Sequence, residues 1–423
     1  MEHRPPRGTL DLLPPAGSRM RALYDRAADL ARRYGYRYVE TPGFEHTELF
    51  ALTSGQSSDV VTKEMYTFQD RGGRSITLRP EGTAPVMRAY LDQRQEMATP
   101  FKAYYLTRMY RYGRPQAGRH REHRQFGIEV FAEEGPGADV EVIEVGDRFL
   151  RELGLTRYRV EVNSIGDDAC RPAYREELVS FLRDRRHSLT DEHRDRFEDN
   201  PLRVLDCKDD DCRAVASEAP KITDRLCAPC REHFDSVLDG LRAEALEPVV
   251  TPTLVRGLDY YTRTAFEFVA EGLSPQQATL FGGGRYDGMA EAIGGPHVPG
   301  VGYGMGLERV LLALEDEGLA PPEEPGLAIF VVGLGDAGRA SGRELVRVVR
   351  AAGLSADTSF AERTLKAQLR TADRTGASYA AIIGDDEVAE SSVTLRRLSD
   401  GAQERVPLAD VVNWLVRRTT GTG

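Results

Sequence analysis

Between residues 18 and 34 apolar positions return at helical spacing: Met20, Leu23, Ala27, Leu30, Ala31 and Tyr34 share one face. That pattern predicts an amphipathic helix, with Ser18 as its cap and Gly35 as its stop. "YRYVETPGFE" then predicts a strand stopped by Pro42, and "RSITLRPEGTAPVMRAYL" a short strand that enters a helix across Pro80-Glu81-Gly82. Residues 103–112 and 124–131 alternate like the arms of an antiparallel hairpin with a long loop. From about 168 to 245 the pattern turns helical, in "PAYREELVSFLRDRR" and "REHFDSVLDGLRAEAL". Strand signals return in "TLVRGLDYYTRTAFEFV" and "FGGGRYDGM", and "VGYGMGLERVLLAL" is a strand that becomes a helix. The helical stretch therefore interrupts a strand-rich domain. "EGLAPPEEPG", residues 317–326, has no periodicity and is rich in proline and acid, as a linker is. After it come a buried strand "LAIFVVGL", helices over 339–352 and 364–375, the strand "YAAIIG", a hairpin turning at Ser399-Asp400-Gly401 and a last helix, a small α/β domain.

Composition adds bounds to this outline. A chain of 423 residues needs two or three cores. It has no apolar run near the roughly 20 residues that cross a bilayer, and its opening lacks a secretory core, so a cytoplasmic protein is expected. The net charge of -11 argues against general polyanion binding, but residues 102–124 hold seven Lys or Arg against one acid, Glu122. Residues 326–423 carry 13 basic and 12 acidic side chains, so the acidity lies in the rest of the chain. That distribution suits a nucleic-acid partner for the tail better than a small substrate.

Several clusters could carry chemistry. On the second hairpin arm, alternation puts Gln125, Gly127, Glu129 and Phe131 on one face: an amide and a carboxylate flank a notch. A buried carboxylate there either meets a structural arginine or waits for a cationic ligand group. The first arm delivers Arg111, suited to a carboxylate or phosphate. "RGLDYYTRTAFEF" places Arg256 beside Asp259, Tyr260 and Tyr261, and the glycines of "GYGMGLER" let a ligand approach the backbone ahead of Arg309. Of five cysteines, Cys207, Cys212, Cys227 and Cys230 have spacings close to a four-thiolate structural zinc site. They are either that or four reduced thiols, and Cys170 stands outside both readings.

Taken in order, these segments resemble the class II aminoacyl-tRNA synthetases, and specifically the histidyl-tRNA synthetase family. "RGTLDLLPP" at 7–15 is similar to that family's opening, "TLRPEGT" at 77–83 to its amino-acid-binding segment, and residues 104–131 to its motif 2. "RGLDYY" at 256–261 and "GGGRYDG" at 282–288 resemble its histidine-specific motifs, and 302–314 its motif 3. The resemblance implies an α+β fold: an antiparallel sheet flanked by helices over 1–167 and 249–318, a helical insertion over 168–248, and an α/β anticodon-binding domain over 326–423. It implies a homodimer with the strand near Pro42 at the interface. It assigns Glu81, Gly82, Thr83, Gln125 and Glu129 to the histidine ammonium and its polar neighbours, and Tyr260, Tyr261 and Tyr286 to the histidine side chain. It gives Arg111 the α-phosphate of ATP, bound with Mg²⁺, and Arg309 the adenine and γ-phosphate, with Gln125 and His123 also at the nucleotide. Arg256 is the cation that stands where related enzymes use a metal. Arg114, Gln116, Arg119 and Arg121 would meet the acceptor end of tRNA(His). Two positions depart from the pattern, Gly113 for a glutamate and His123 for a phenylalanine. Two non-catalytic relatives share the fold: a histidine-sensing regulatory subunit of ATP phosphoribosyltransferase, and a tRNA-binding sensor.

Overall fold

The computed structural model describes residues 3–419 apart from 56, 57, 59, 208, 259 and 325, so Asp259 of the "RGLDYY" segment lies outside the described residues. Helix α1 (Ala16–Arg33) buries Met20, Leu23, Ala27, Leu30 and Ala31 and ends before Gly35, whose φ is 82°. Ser18 is not its cap. Pro15 holds that position with no side-chain cap, and Ser18 lies within the first turn. The strand expected before Pro42 shortens to β1 (Arg37–Tyr38), which continues only as one bond from Val39 N–H to the Tyr104 carbonyl.

The hairpin is β2 (Phe101–Tyr110) and β3 (Glu122–Phe131), paired in register from Phe101 with Phe131 to Tyr110 with Glu122. With β4 (Tyr158–Ser164), β5 (Val249–Val250), β6 (Thr262–Ala270), β7 (Thr279–Arg285) and β8 (Gly300–Gly306) it forms an eight-stranded sheet in the order β1-β2-β3-β8-β7-β6-β4-β5. Its interior pairs are antiparallel, and the two-residue strands at each edge pair parallel. The strand period of two divides the side chains. Phe126, Ile128, Val130, Tyr303 and Met305 face a large core formed with α1, α3 (Pro136–Glu152) and α6 (Leu307–Asp316). The opposite face carries Tyr105, Phe131, Tyr261 and Tyr286.

A small sheet of Phe44–His46, Tyr66–Gln69 and Ser75–Leu78 leads across Pro80–Gly82 into α2 (Thr83–Gln93), the strand-to-helix step that the pattern predicts. The helical stretch contains α4 (Arg171–Asp184) and α5 (Ala228–Ala243). Phe234, Val237 and Leu241 of α5 enter the large core, while Tyr174, Leu178 and Leu182 of α4 enter the second one. A buried ion pair ties α3 to the sheet, and His233 of α5 packs beside it. Asp139 of α3 lies 2.5 Å from Arg285 of β7 and 3.4 Å from His233 of α5.

The chain divides into two units, residues 1–323 and 324–423. The second has a five-stranded sheet in the order Ala356–Thr358, Ile329–Gly333, Tyr379–Ile383, Ser392–Arg397, Gln403–Pro407. The first three strands are parallel, and the last two form the hairpin predicted around Asp400. The strand Ala356–Thr358 and the helix Asp385–Ala389 have no counterpart in the sequence reading, being too short to show a period. No helix among the described residues is long and apolar enough to cross a membrane.

Candidate active site

The second face of the sheet has a floor of buried polar groups. Glu129 of β3 is fully buried and accepts hydrogen bonds from Thr83 Oγ1 at 2.7 Å, Tyr105 Oη at 3.3 Å and the Tyr286 hydroxyl. Burial raises its pKa to about 8 even though the three hydroxyls partly offset the shift, so the free site holds a proton here at neutral pH. Glu81 sits beside it and accepts from the N–H groups of Thr83 at 2.6 Å and Ala84 at 3.0 Å, closing the N-terminus of α2. Burial raises the Glu81 pKa, opposed by those two backbone donors.

Glycines make room for this floor. A Cβ on Gly302 would lie 1.9 Å from Glu129 Oε2, and one on Gly304 would lie 2.2 Å from Gln125 Nε2. The alternate glycines of β8 therefore admit side chains from β3, where the sequence reading had reserved them for a ligand. Gly127 and Gly82 have the same purpose. A Cβ on either would fall 2.1 Å or 2.5 Å from the ring carbon bearing the Tyr105 hydroxyl, so the notch on β3 is filled by Tyr105 of the neighbouring strand. Sequence reasoning missed Tyr105. Its signal was the register of the hairpin, which sets Tyr105 opposite Gly127.

Around the floor stand three tyrosines. The Tyr260 ring lies 4.5 Å from Tyr261 and 5.6 Å from Tyr286, centroid to centroid, and Arg256 lies over the Tyr261 ring at 5.7 Å. Arg256 pairs with Glu267 of β6, whose other oxygen accepts from Thr279 Oγ1 at 3.0 Å. Glu267 was also missed, although it is the single acid in "TAFEFVA" and alternation sets it apart from the core residues Phe266 and Phe268. Arg256 Nε and Gln125 Oε1 are buried with no hydrogen-bond partner among the described residues. Both are polar atoms whose burial is costly until a ligand meets them. A cavity of about 260 Å³ opens beside Arg256 and Tyr261, toward Arg171 and Asn200.

Cations line the other side. Arg111 Nε donates to the Pro80 carbonyl at 2.7 Å, and Arg309 donates to the carbonyls of Gly118, at 3.3 Å, and Thr279. His123 follows on the same strand face as Gln125; burial first, then Arg111 and Arg309, depress its pKa to about 3, so the ring is neutral. The basic run itself is largely internally paired. Lys102 meets Glu141 at 2.6 Å, Arg108 meets Glu122 at 3.3 Å, Arg119 meets Glu64 at 2.7 Å, and buried Arg124 meets Glu308 at 3.2 Å. Arg114 is exposed, Gln116 pairs its backbone with Arg119, and Arg121 stacks 4.0 Å over Tyr112.

A family model described as histidyl-tRNA synthetase matches residues 8–310, and one described as an anticodon binding domain matches residues 328–418. The chain belongs to the histidyl-tRNA synthetase family. A histidine–tRNA ligase of Moorella thermoacetica is 49% identical over 410 residues, 97% of each chain. One of Caldanaerobacter subterraneus is 44% identical over 407 residues, 96% of this chain and 97% of that one. The solved apo histidyl-tRNA synthetase of S. aureus superposes with a TM-score of 0.81 at 34% identity, over 98% of this chain and 99% of that one. Gly113 lies against the Arg119 side chain. A Cβ there would lie 3.2 Å from Arg119 Nε, and Arg119 already has a carboxylate in Glu64.

The cysteines do not gather as one tetrad. Cys227 and Cys230 lie with Asp167 and Cys170, whereas Cys207 and Cys212 lie with His193. The spacing was suggestive, but the chain between the pairs folds into separate helices that carry them apart, and Cys170, assigned nothing from sequence, is part of the first group.

Proposed function

We propose that this protein is a histidine–tRNA ligase, which activates L-histidine with ATP as histidyl-adenylate, releasing pyrophosphate, and then transfers the histidyl group to the 3′ end of tRNA(His). The observation that carries the reading is the pairing of a buried carboxylate floor with fixed guanidinium groups above it. Glu129, Glu81, Thr83 and Gln125 offer acceptors to an ammonium group, and Tyr260, Tyr261 and Tyr286 give walls for an imidazole. Gly82 lets the chain turn tightly past Tyr105. The histidine carboxylate would attack the α-phosphorus of ATP, whose phosphates carry Mg²⁺. No protein nucleophile is needed, so rate comes from positioning and from cations aimed at the phosphoryl oxygens. Arg111 and Arg256 take that role, while Arg309 and the neutral ring of His123 hold the nucleotide.

Arg114, Gln116, Arg119 and Arg121 lie on the hairpin loop and would meet the tRNA acceptor end, with the 326–423 domain reading the anticodon. The catalytic domain comprises 1–167 and 249–318, with 168–248 inserted. A homodimer fits the exposure of Tyr38 and Phe44 on either side of Pro42.

Histidine-dependent exchange of labelled pyrophosphate into ATP tests the reading. Exchange should be present in the wild type and fall by about 10²–10³-fold in Arg256→Ala, the usual loss when one charge-stabilising donor is removed. Folded protein that binds histidine without exchange would instead indicate the regulatory or sensor role.

A further inference from the structure

Three thiols and one carboxylate converge where the helical stretch leaves β4, at the N-terminus of α5. The ligand atoms of Asp167, Cys170, Cys227 and Cys230 all lie within 4.8 Å of one another. We propose that these four residues bind one zinc ion. A tetrahedral ion with Zn–S of about 2.3 Å and Zn–O of about 2.1 Å sets sulfur and oxygen about 3.6 Å apart. Asp167 Oδ1 lies 3.4 Å from Cys170 Sγ and 3.7 Å from Cys227 Sγ, distances set by the fold before any ion enters.

The surroundings are built for such a group. Cys227 is the cap residue of α5 and Cys230 lies in its first turn, so the spacing of one helical turn brings both sulfurs to the same end of the helix. Cys170 and Cys230 are buried, and Gly166, at φ 67°, leaves space that a Cβ would take from Cys170 Sγ at 2.6 Å. Asp167 presents one oxygen to the sulfurs and the other toward Arg263 at 3.8 Å. Zinc with three thiolates and a carboxylate carries a net charge of -2, and Arg263 and Arg171 flank it as outer partners of the usual kind. A disulfide would join two of the sulfurs and leave the third thiol and the carboxylate without a role. The other group, His193, Cys207 and Cys212, supplies three ligands among the described residues.

The ion would tie residue 167 to residue 230 and so close the part of the helical stretch that precedes α5. That part touches the candidate active site, because Arg171 donates to the Tyr261 carbonyl at 2.7 Å as well as to Ile165 and Gly166.

The test is metal content of the full-length chain purified under reducing conditions, followed by replacement of zinc with Co²⁺. One zinc per chain is expected, and the cobalt form should show the intense visible bands of a tetrahedral ion with thiolate charge transfer in the near ultraviolet. The double variant Cys227→Ser/Cys230→Ser should lose the metal, Asp167→Asn should bind at least tenfold more weakly, and Cys212→Ser should keep a full equivalent. The wild-type cobalt spectrum needs no variant, so a variant that fails to fold does not decide the matter. Reduced, folded wild type that takes up no zinc when titrated overturns the proposal. So does metal lost in Cys212→Ser but kept in Cys227→Ser/Cys230→Ser.

Discussion

Glu129 is where a single residue sets a measurable property of the whole protein. Its pKa rises from an ordinary 4.5 to about 8 through burial, so in that interval the folded protein holds a proton that the unfolded chain has released. Stability from this group is therefore full at low pH and lost as pH climbs toward 8, at a slope of about 1 kcal/mol per pH unit. Urea denaturation from pH 5 to 8 should show that decline in the wild type and a flatter curve in Glu129→Gln. On the proposed function a bound ammonium favours the carboxylate, so histidine binding near pH 7.5 should release most of a proton, and Glu129→Gln should release none; calorimetry in buffers of different ionisation enthalpy reads the difference. Gln125 and Glu129 stand out in the sequence because polar side chains on an otherwise apolar strand face are conspicuous, whereas Arg256, in irregular chain ahead of β6, stands out only through the motif "RGLDYY". Sequence alone could not identify Tyr105 or Glu267. An aromatic or an acid in a strand belongs to the core or to solvent by default, and only the neighbouring strand shows otherwise.

At the level of elements, the hairpin works because its two arms exchange volume. Tyr105 takes the space that Gly127 and Gly82 leave, and its hydroxyl reaches Glu129. Gly127→Ala should cost about 1–3 kcal/mol by overpacking, read from the urea midpoint, with loss of whatever activity the pocket supports. The α3 helix is tied to the sheet by a different device. Arg285 and Asp139 are both fully buried, and Arg285 also donates to the Glu133 carbonyl at 2.9 Å. Asp139→Asn leaves that guanidinium short of its main counter-charge, and a loss of about 3–5 kcal/mol is expected in chemical denaturation. The periodicity that located these helices and strands was local. Partners such as Asp139 and Arg285, 146 residues apart, were not, since nothing in a 3.6 or 2.0 period specifies which charged residue another element will meet.

At the scale of the molecule, each of the two units has its own core, the second centred on Ile329, Val331 and Val349. If the tail reads tRNA, a chain ending at residue 323 should keep pyrophosphate exchange within a few-fold while histidylation of tRNA falls by at least tenfold. Labelled-histidine transfer assays compare the two directly. The sequence by itself determined the strand-rich domain, the helical stretch within it, the α/β tail and the polar face of β3, because each is written in a short period or in a motif of adjacent residues. Only tertiary structure decided which glycine makes room for which side chain, which arginines of the basic run are already paired, and which cysteines meet. Those outcomes depend on strand register and on distances between residues far apart in the chain, where spacing along the sequence carries no information about separation in space.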